Sequence, residues 1–225
     1  MHSRYALRAG SARKRRTRGR PADRRESVGA DAILLYVCEL LREVAPAQIT
    51  LVRVAEHAGV DRSLIRYYFK KRSSLLLAAA RHLFAQLQND LSAAKAIPSG
   101  EAERHLRERA RALLRFQIKH PYFHRLMVDE VVNSEEPEAR AFFRSFTSTA
   151  LAEYRATAEA AARESGAREV DGAFLYMATI GMCEFFVTGM PILRVAFGKD
   201  YDETKLNSQF EAFVCDYVVD GIRRR

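Results

Sequence analysis

The sequence predicts an all-α protein in two parts: an N-terminal three-helix domain of helix-turn-helix type, joined by a long helix to a larger helical domain. Three observations predict it. Apolar residues recur at helical spacing along most of the chain, broken by Pro and Gly, with no alternating strand and no internal repeat. Residues 50–72 hold two short helical patterns hinged on one glycine. The charge is also lopsided: residues 1–72 carry 17 Lys/Arg against 7 Asp/Glu, and residues 73–225 carry 20 against 21. A length of 225 residues suffices for two cores.

Residues 1–25 contain ten Arg/Lys and one acid and few apolar residues, so they are expected to form a disordered basic arm. Within it, Arg18-Gly19-Arg20-Pro21 has two readings. Arg18 and Arg20 can lie in the narrow minor groove of A·T-rich DNA, or the arm can be a solvated tail that binds phosphates without preference. A first helix is expected over 27–44, with Ile33, Val37, Leu40, Leu41 and Val44 as its core stripe and Pro46 ending it.

Residues 50–72 are the most informative. Thr50 stands where an N-cap belongs, and Ile49 can pack on Val54 as a staple. Leu51, Val54, Ala55 and Ala58 share one face, Gly59 supplies the left-handed residue that ends a helix, and Asp61 caps the next. In that second helix Val60, Leu64, Ile65 and Phe69 can face inward, leaving Arg62, Ser63, Arg66 and Tyr67 outside. A helix presenting arginine and tyrosine after a tight glycine turn is the reading element of a DNA-binding helix-turn-helix.

These residues resemble the DNA-binding domain of the TetR family of bacterial transcriptional regulators. The resemblance rests on Thr50, Val54-Ala55, Ala58-Gly59-Val60, Tyr67-Tyr68-Phe69, Arg72 and Leu75-Leu76, and spans about a third of the chain. It departs from the family pattern at Ala45-Pro46-Ala47, at Arg66 and at Lys71. The departures at Arg66 and Lys71 bear on how the helix reads DNA. The resemblance implies DNA contact from Thr50, Arg62, Ser63, Leu64, Arg66, Tyr67, Tyr68, Lys70, Lys71 and Arg72. Arginine's planar fork can bond guanine O6 and N7 together, whereas Lys70, Lys71 and Arg72 are expected to clamp phosphates.

A connecting helix is expected from Ser73 to about Lys95, and Pro98-Ser99-Gly100 breaks the chain. The expected organisation is thus an arm (1–25), a DNA-binding domain with its connector helix (26–96) and a sensing and dimerisation domain (97–225). Later helices are expected at 102–119, at 121–132 with Pro121 in first position, at 138–164, at 169–189 stopped by Gly189 and Pro191, and at 206–222. The segments 169–189 and 206–222 are unusually apolar and are expected to pair across a homodimer, with Ile180, Glu184, Phe210, Phe213, Val214 and Tyr217 as interface candidates. Glu184 is expected to pair across that interface, with Arg194 as the candidate partner, or to touch an effector.

The resemblance further implies a small apolar or amphipathic effector enclosed by the Phe- and Met-rich body. Phe123, Met127, Phe143, Phe146, Phe174, Met177 and Phe185 are the candidate lining residues. No HExxH, GxSxG, P-loop or GxGxxG occurs, so neither catalysis nor a cofactor is expected. His120 and His124 lack a neighbouring acid or thiol at ligand spacing, so no metal is expected. Cys38, Cys183 and Cys215 sit in apolar patterns as reduced thiols would in a cytoplasmic protein. Residues 173–193 are long and apolar enough to suggest a membrane span, but Glu184, Gly181 and Pro191 favour a buried interface helix, and no membrane is expected. The resemblance implies a repressor released from a palindromic operator by a small effector, or alternatively a DNA-binding protein of the same fold without an effector, acting architecturally or through a protein partner. The expected partners are palindromic double-stranded DNA, a small effector and a second copy of the chain.

Overall fold

The computed structural model describes residues 29–98 and 100–223, and among them every regular element is helical. The arginine pair Arg18 and Arg20 and the start expected for the first helix lie outside the described residues.

Helix α1 (Ala30–Glu43) buries Ile33, Val37, Leu40 and Leu41 and stops before Pro46, as the pre-proline restriction dictates. Helix α2 (Leu51–Ala58) begins at Thr50, whose side-chain oxygen accepts from the Arg53 amide at 3.1 Å. It ends at Gly59, in the left-handed region at φ 62°, where the Val60 amide reaches back to the Ala55 carbonyl at 3.0 Å. Asp61 then caps α3 (Arg62–Tyr68), accepting from the Ser63 amide at 2.7 Å. Val54, Ile65, Leu75 and Leu76 are fully buried and join these helices to α4 (Arg72–Asp90) in one core.

The connector breaks at Leu91 into a short α5 (Ser92–Lys95) instead of running unbroken. Helix α6 (Ala102–Lys119) is the central rod of the body and packs against α8 (Pro137–Glu164), α9 (Gly172–Thr188) and α11 (Glu203–Asp220). Three elements differ from expectation. Pro121 and Tyr122 form a turn, so α7 starts at Phe123 (Phe123–Leu126) and continues as a π-helical stretch, Met127–Val132. Pro191 starts a helix, α10 (Met190–Phe197), and does not merely stop one; in the first turn its missing N–H needs no partner. The last helix begins at Glu203, because Asp202 accepts from the Lys205 amide at 3.0 Å and caps it there.

The apolar run at 173–193 is thereby split at Gly189 into helical segments bent by 55°. Among the described residues no single helix is long and apolar enough to cross a membrane.

Candidate nucleic-acid interface and effector cavity

Helix α3 buries Ile65 and half-buries Leu64, which fixes its rotation and turns Arg62, Ser63, Arg66 and Tyr67 to solvent. Neither arginine has an ion-pair or hydrogen-bond partner among the described residues. Tyr67 is 78% exposed and Tyr68 39%, their rings meeting edge to face at 5.1 Å. Tyr67 is thus exposed on α3 along with the two arginines, and Tyr68 is partly exposed. Lys70 is exposed, and Lys71 is exposed apart from a long 3.5 Å contact to Glu136.

Arg72 differs from these neighbours. Its Nη2 and Nη1 donate to Glu130 Oε1 and Oε2 at 2.8 and 3.1 Å, while Nε and Nη2 donate to the Ile49 and Pro46 carbonyls, both at 2.7 Å. The expected phosphate clamp is thus turned inward: one side chain ties the α1–α2 connection, the start of α4 and the π-helical stretch together. Glu130 was not among the residues the sequence suggested; its only signal was an acid inside the apolar run Leu126–Val132.

That same π-helical stretch forms one wall of a cavity of about 280 Å³ enclosed by α4, α6, α7, α8 and α9. Phe123, Met127, Phe143, Phe146 and Met177 line it, together with Phe84, Leu87 and Leu113. Phe174 and Phe185 do not. They are 72% and 70% exposed on the outer face of α9, because the helix turns Tyr176 and Ile180 inward. Ile180, expected at the dimer interface, is therefore a cavity residue.

The cavity's polar end was also missed. Arg109, only 3% exposed, donates from Nη1 to Glu153 Oε2 at 2.6 Å and lies 4.7 Å over the Tyr154 ring. Lys95 Nζ sits 2.9 Å from Glu153 Oε1. Burial alone would raise the Glu153 pKa, but the hydrogen bonds from Lys95 and Arg109 outweigh it and hold the carboxyl below its ordinary range. Burial, with Arg109 nearby, lowers the His105 pKa. A signal existed: Arg109 falls on the same stripe of α6 as Leu106, Leu113 and Gln117, and a charge on a core stripe requires a partner.

Several interface expectations also change. Val214 is fully buried within the protomer core, and Phe210 is half-buried and stacked on Phe186 at 4.0 Å. Glu184 Oε2 lies 2.7 Å from His124 Nδ1 without a hydrogen bond between them, while Arg194 pairs with Glu203 at 2.9 Å. Within the protomer Glu184 and Arg194 thus each have another neighbour, and the pairing expected between them across a dimer is a matter for two copies of the chain. Phe213 and Tyr217 remain exposed, beside an α9 face on which Gly181 has open space around it. His120 is buried whereas His124 faces Glu184, so the two rings do not converge.

Comparison with known proteins decides the family. Residues 98–224 match the family model described as tetracyclin repressor-like, C-terminal domain. The chain belongs to the TetR family of transcriptional regulators. The chain is also similar to the HTH-type transcriptional regulator BetI of Escherichia coli O127:H6 (strain E2348/69), 36% identical over 82 residues. That match spans 36% of this chain and 42% of the length of BetI, so less than half of that relative is covered. Among solved structures, the TetR-family regulator PfmR of Thermus thermophilus superposes with a TM-score of 0.67 at 17% identity, covering 88% of this chain and 98% of PfmR. AibR, in complex with isovaleryl coenzyme A and operator DNA, gives 0.65 at 15% identity over 86% of this chain and 97% of its own. At such identities the likeness is one of fold.

Proposed function

We propose that this TetR-family chain is a cytoplasmic, homodimeric repressor that binds a palindromic operator and is released by a small apolar or amphipathic effector. The observation that carries the DNA reading is the pair Arg62 and Arg66, exposed and without counter-charge among the described residues, on a helix whose rotation the buried Ile65 sets. In a major groove that edge offers two forks for guanine, with Ser63 and Leu64 beside them. Tyr67, Tyr68, Lys70, Lys71 and the α2 cap at Thr50 are assigned to phosphates. The similarity to the HTH-type regulator BetI over 82 residues, and the operator in the AibR complex, support the same reading.

Two heads can act together only if the bodies pair. The exposed aromatic faces of α9 and α11, with Phe174, Phe185, Phe213 and Tyr217, suit a two-fold interface. A two-fold dimer requires half-sites about one helical turn apart, or a multiple of that.

Release requires an effector that binds the DNA-incompetent arrangement more tightly. The path between the sites is short: Met127, Val128 and Val132 face the cavity, and Glu130 of the same stretch grips Arg72, which holds the head through two carbonyls. A shift of the π-helical wall therefore moves the bracket on which the head rests.

Selection of bound sequences from a random DNA pool tests the reading. A palindrome with G in each half-site is expected, bound at a stoichiometry of two chains or a multiple. Enrichment of no sequence, or of a site lacking two-fold symmetry, overturns it.

A further inference from the structure

One end of the cavity is polar beyond what the fold requires. Arg109 lines it, is 3% exposed, and has an Nε with no hydrogen-bond partner among the described residues. Thr147, also in the lining, has a buried hydroxyl that is likewise unpartnered. That hydroxyl is an exception in this molecule. Thr157, Thr179 and Thr188 each return theirs to the carbonyl one turn back, at 2.8, 2.8 and 2.9 Å. Buried donors in native proteins are almost always satisfied. Two that are not, lining one cavity, point to an acceptor on the molecule the cavity takes.

The charge there has a sign. Glu153 in the lining is shared between Arg109, also in the lining, and Lys95 outside it, so the three groups together carry one net positive charge. Much of the remaining lining is apolar, with Phe84, Leu113, Phe123 and Met127 among it. An anion is tolerated in such surroundings only where a cation and donors meet it.

Building on the effector reading above, we propose that the cavity takes a single-headed amphipathic carboxylate. Its oxygens accept from Arg109 Nε and Thr147 Oγ1, and its chain lies along the aromatic wall. A cavity of about 280 Å³ is far larger than a single-water void, and a medium-length acid such as octanoate serves as the probe. The same acyl chain carried as a coenzyme A thioester presents a neutral carbonyl at this point and leaves the excess charge unmatched.

Calorimetric titration of the full chain with octanoate, 1-octanol and octanoyl-coenzyme A separates these cases, with release of labelled operator DNA as a second readout. Octanoate is expected to bind at least about tenfold more tightly than octanol, since a charge-assisted hydrogen bond is at stake. Thr147→Val keeps the shape and is expected to weaken octanoate about fivefold while leaving octanol unchanged. Arg109→Met is expected to weaken octanoate further, but it leaves Glu153 with one partner fewer, so Thr147→Val is the variant that decides if Arg109→Met does not fold. Equal binding of octanol and octanoate, a preference for the thioester, or indifference of octanoate to Thr147→Val overturns the carboxylate assignment. If octanol also releases the operator, the effector reading survives that loss. If the protein holds its operator and no compound binds, both fall.

Discussion

Arginine plays opposite parts on two helices of this molecule. All five arginines of α6 are tied to carboxylates: Arg104 to Glu101, Arg107 to Asp216, Arg109 to Glu153, Arg111 to Glu108 and Glu211, and Arg115 to Glu211. Three of these, Arg107, Arg111 and Arg115, reach across to α11, so the charges stitch helices together. The two arginines of α3 have no such partner among the described residues, although α3 is the more exposed helix and lies in the strongly basic part of the chain. An arginine with a counter-ion inside the protein has little to offer an outside anion; one without is available to a polyanion. Arg72 stands on the border between the two habits. It begins α4 in the head, yet it is bound like a body arginine, to Glu130.

The severest test of this division bears on the body. If the uncovered aromatics of α9 and α11 are where two copies meet, a charge placed there should separate them. Phe213→Asp is the cleaner choice, because Phe213 is 54% exposed in the protomer whereas Ile180 also lines the cavity. The expected outcome is a monomer in sedimentation and loss of operator binding, since one head cannot span two half-sites. A variant that remains dimeric and binds its operator would place the interface elsewhere.

Glu130→Gln probes the border. It removes the charge that holds Arg72 while keeping size and one acceptor, and is expected to cost about 1–3 kcal/mol of stability, read as a lower melting temperature. It should also shrink the change in operator affinity that an effector produces, because the bracket between cavity wall and head is loosened. Unchanged coupling with lowered stability would make the bracket structural only.

How far the chain could be read without coordinates follows from distance along it. The turn between α2 and α3 depends on Thr50, Gly59 and Asp61, each acting within three or four positions of itself, and periodicity marks the helices they cap. The cavity and the bracket depend on pairs such as Arg72 with Glu130, 58 residues apart, and Arg109 with Glu153, 44 apart, which no local pattern encodes. Rotation was the other gap. On α9 nearly every residue is apolar, so periodicity cannot say which aromatics turn inward; Met177 lines the cavity while Phe174 and Phe185 stand outside. On α6, by contrast, a polar background makes the stripe visible, and Arg109 on it was a readable sign of a buried site.

Arg66→Ala and Arg62→Ala sharpen the contrast directly. Each is expected to cost about 1–3 kcal/mol on the operator and to relax preference at one position in each half-site, with stability unchanged. Arg104→Ala is the matched control. Arg104 pairs with Glu101 at the surface, so its loss should change neither DNA binding nor stability by more than about 1 kcal/mol. Base preference untouched in Arg66→Ala would mean that α3 does not read the groove.

The smallest effect belongs to Lys70, and it is diagnostic because of its form. Lys70 lies just past α3, exposed, with no partner among the described residues. If it meets a phosphate, Lys70→Ala removes one neutralised charge and the counterion released with it. Affinity should then fall by a similar factor for the operator and for unrelated DNA, leaving their ratio unchanged. The slope of log affinity against log salt should become shallower by about one. The same change at Arg72 should leave that slope alone, since its guanidinium already faces Glu130, and should show itself in melting temperature instead. Measured together over a range of salt, the two substitutions distinguish a basic residue that serves the DNA from one that serves the fold. Equal slopes for Lys70→Ala and the unsubstituted protein would remove Lys70 from the DNA interface.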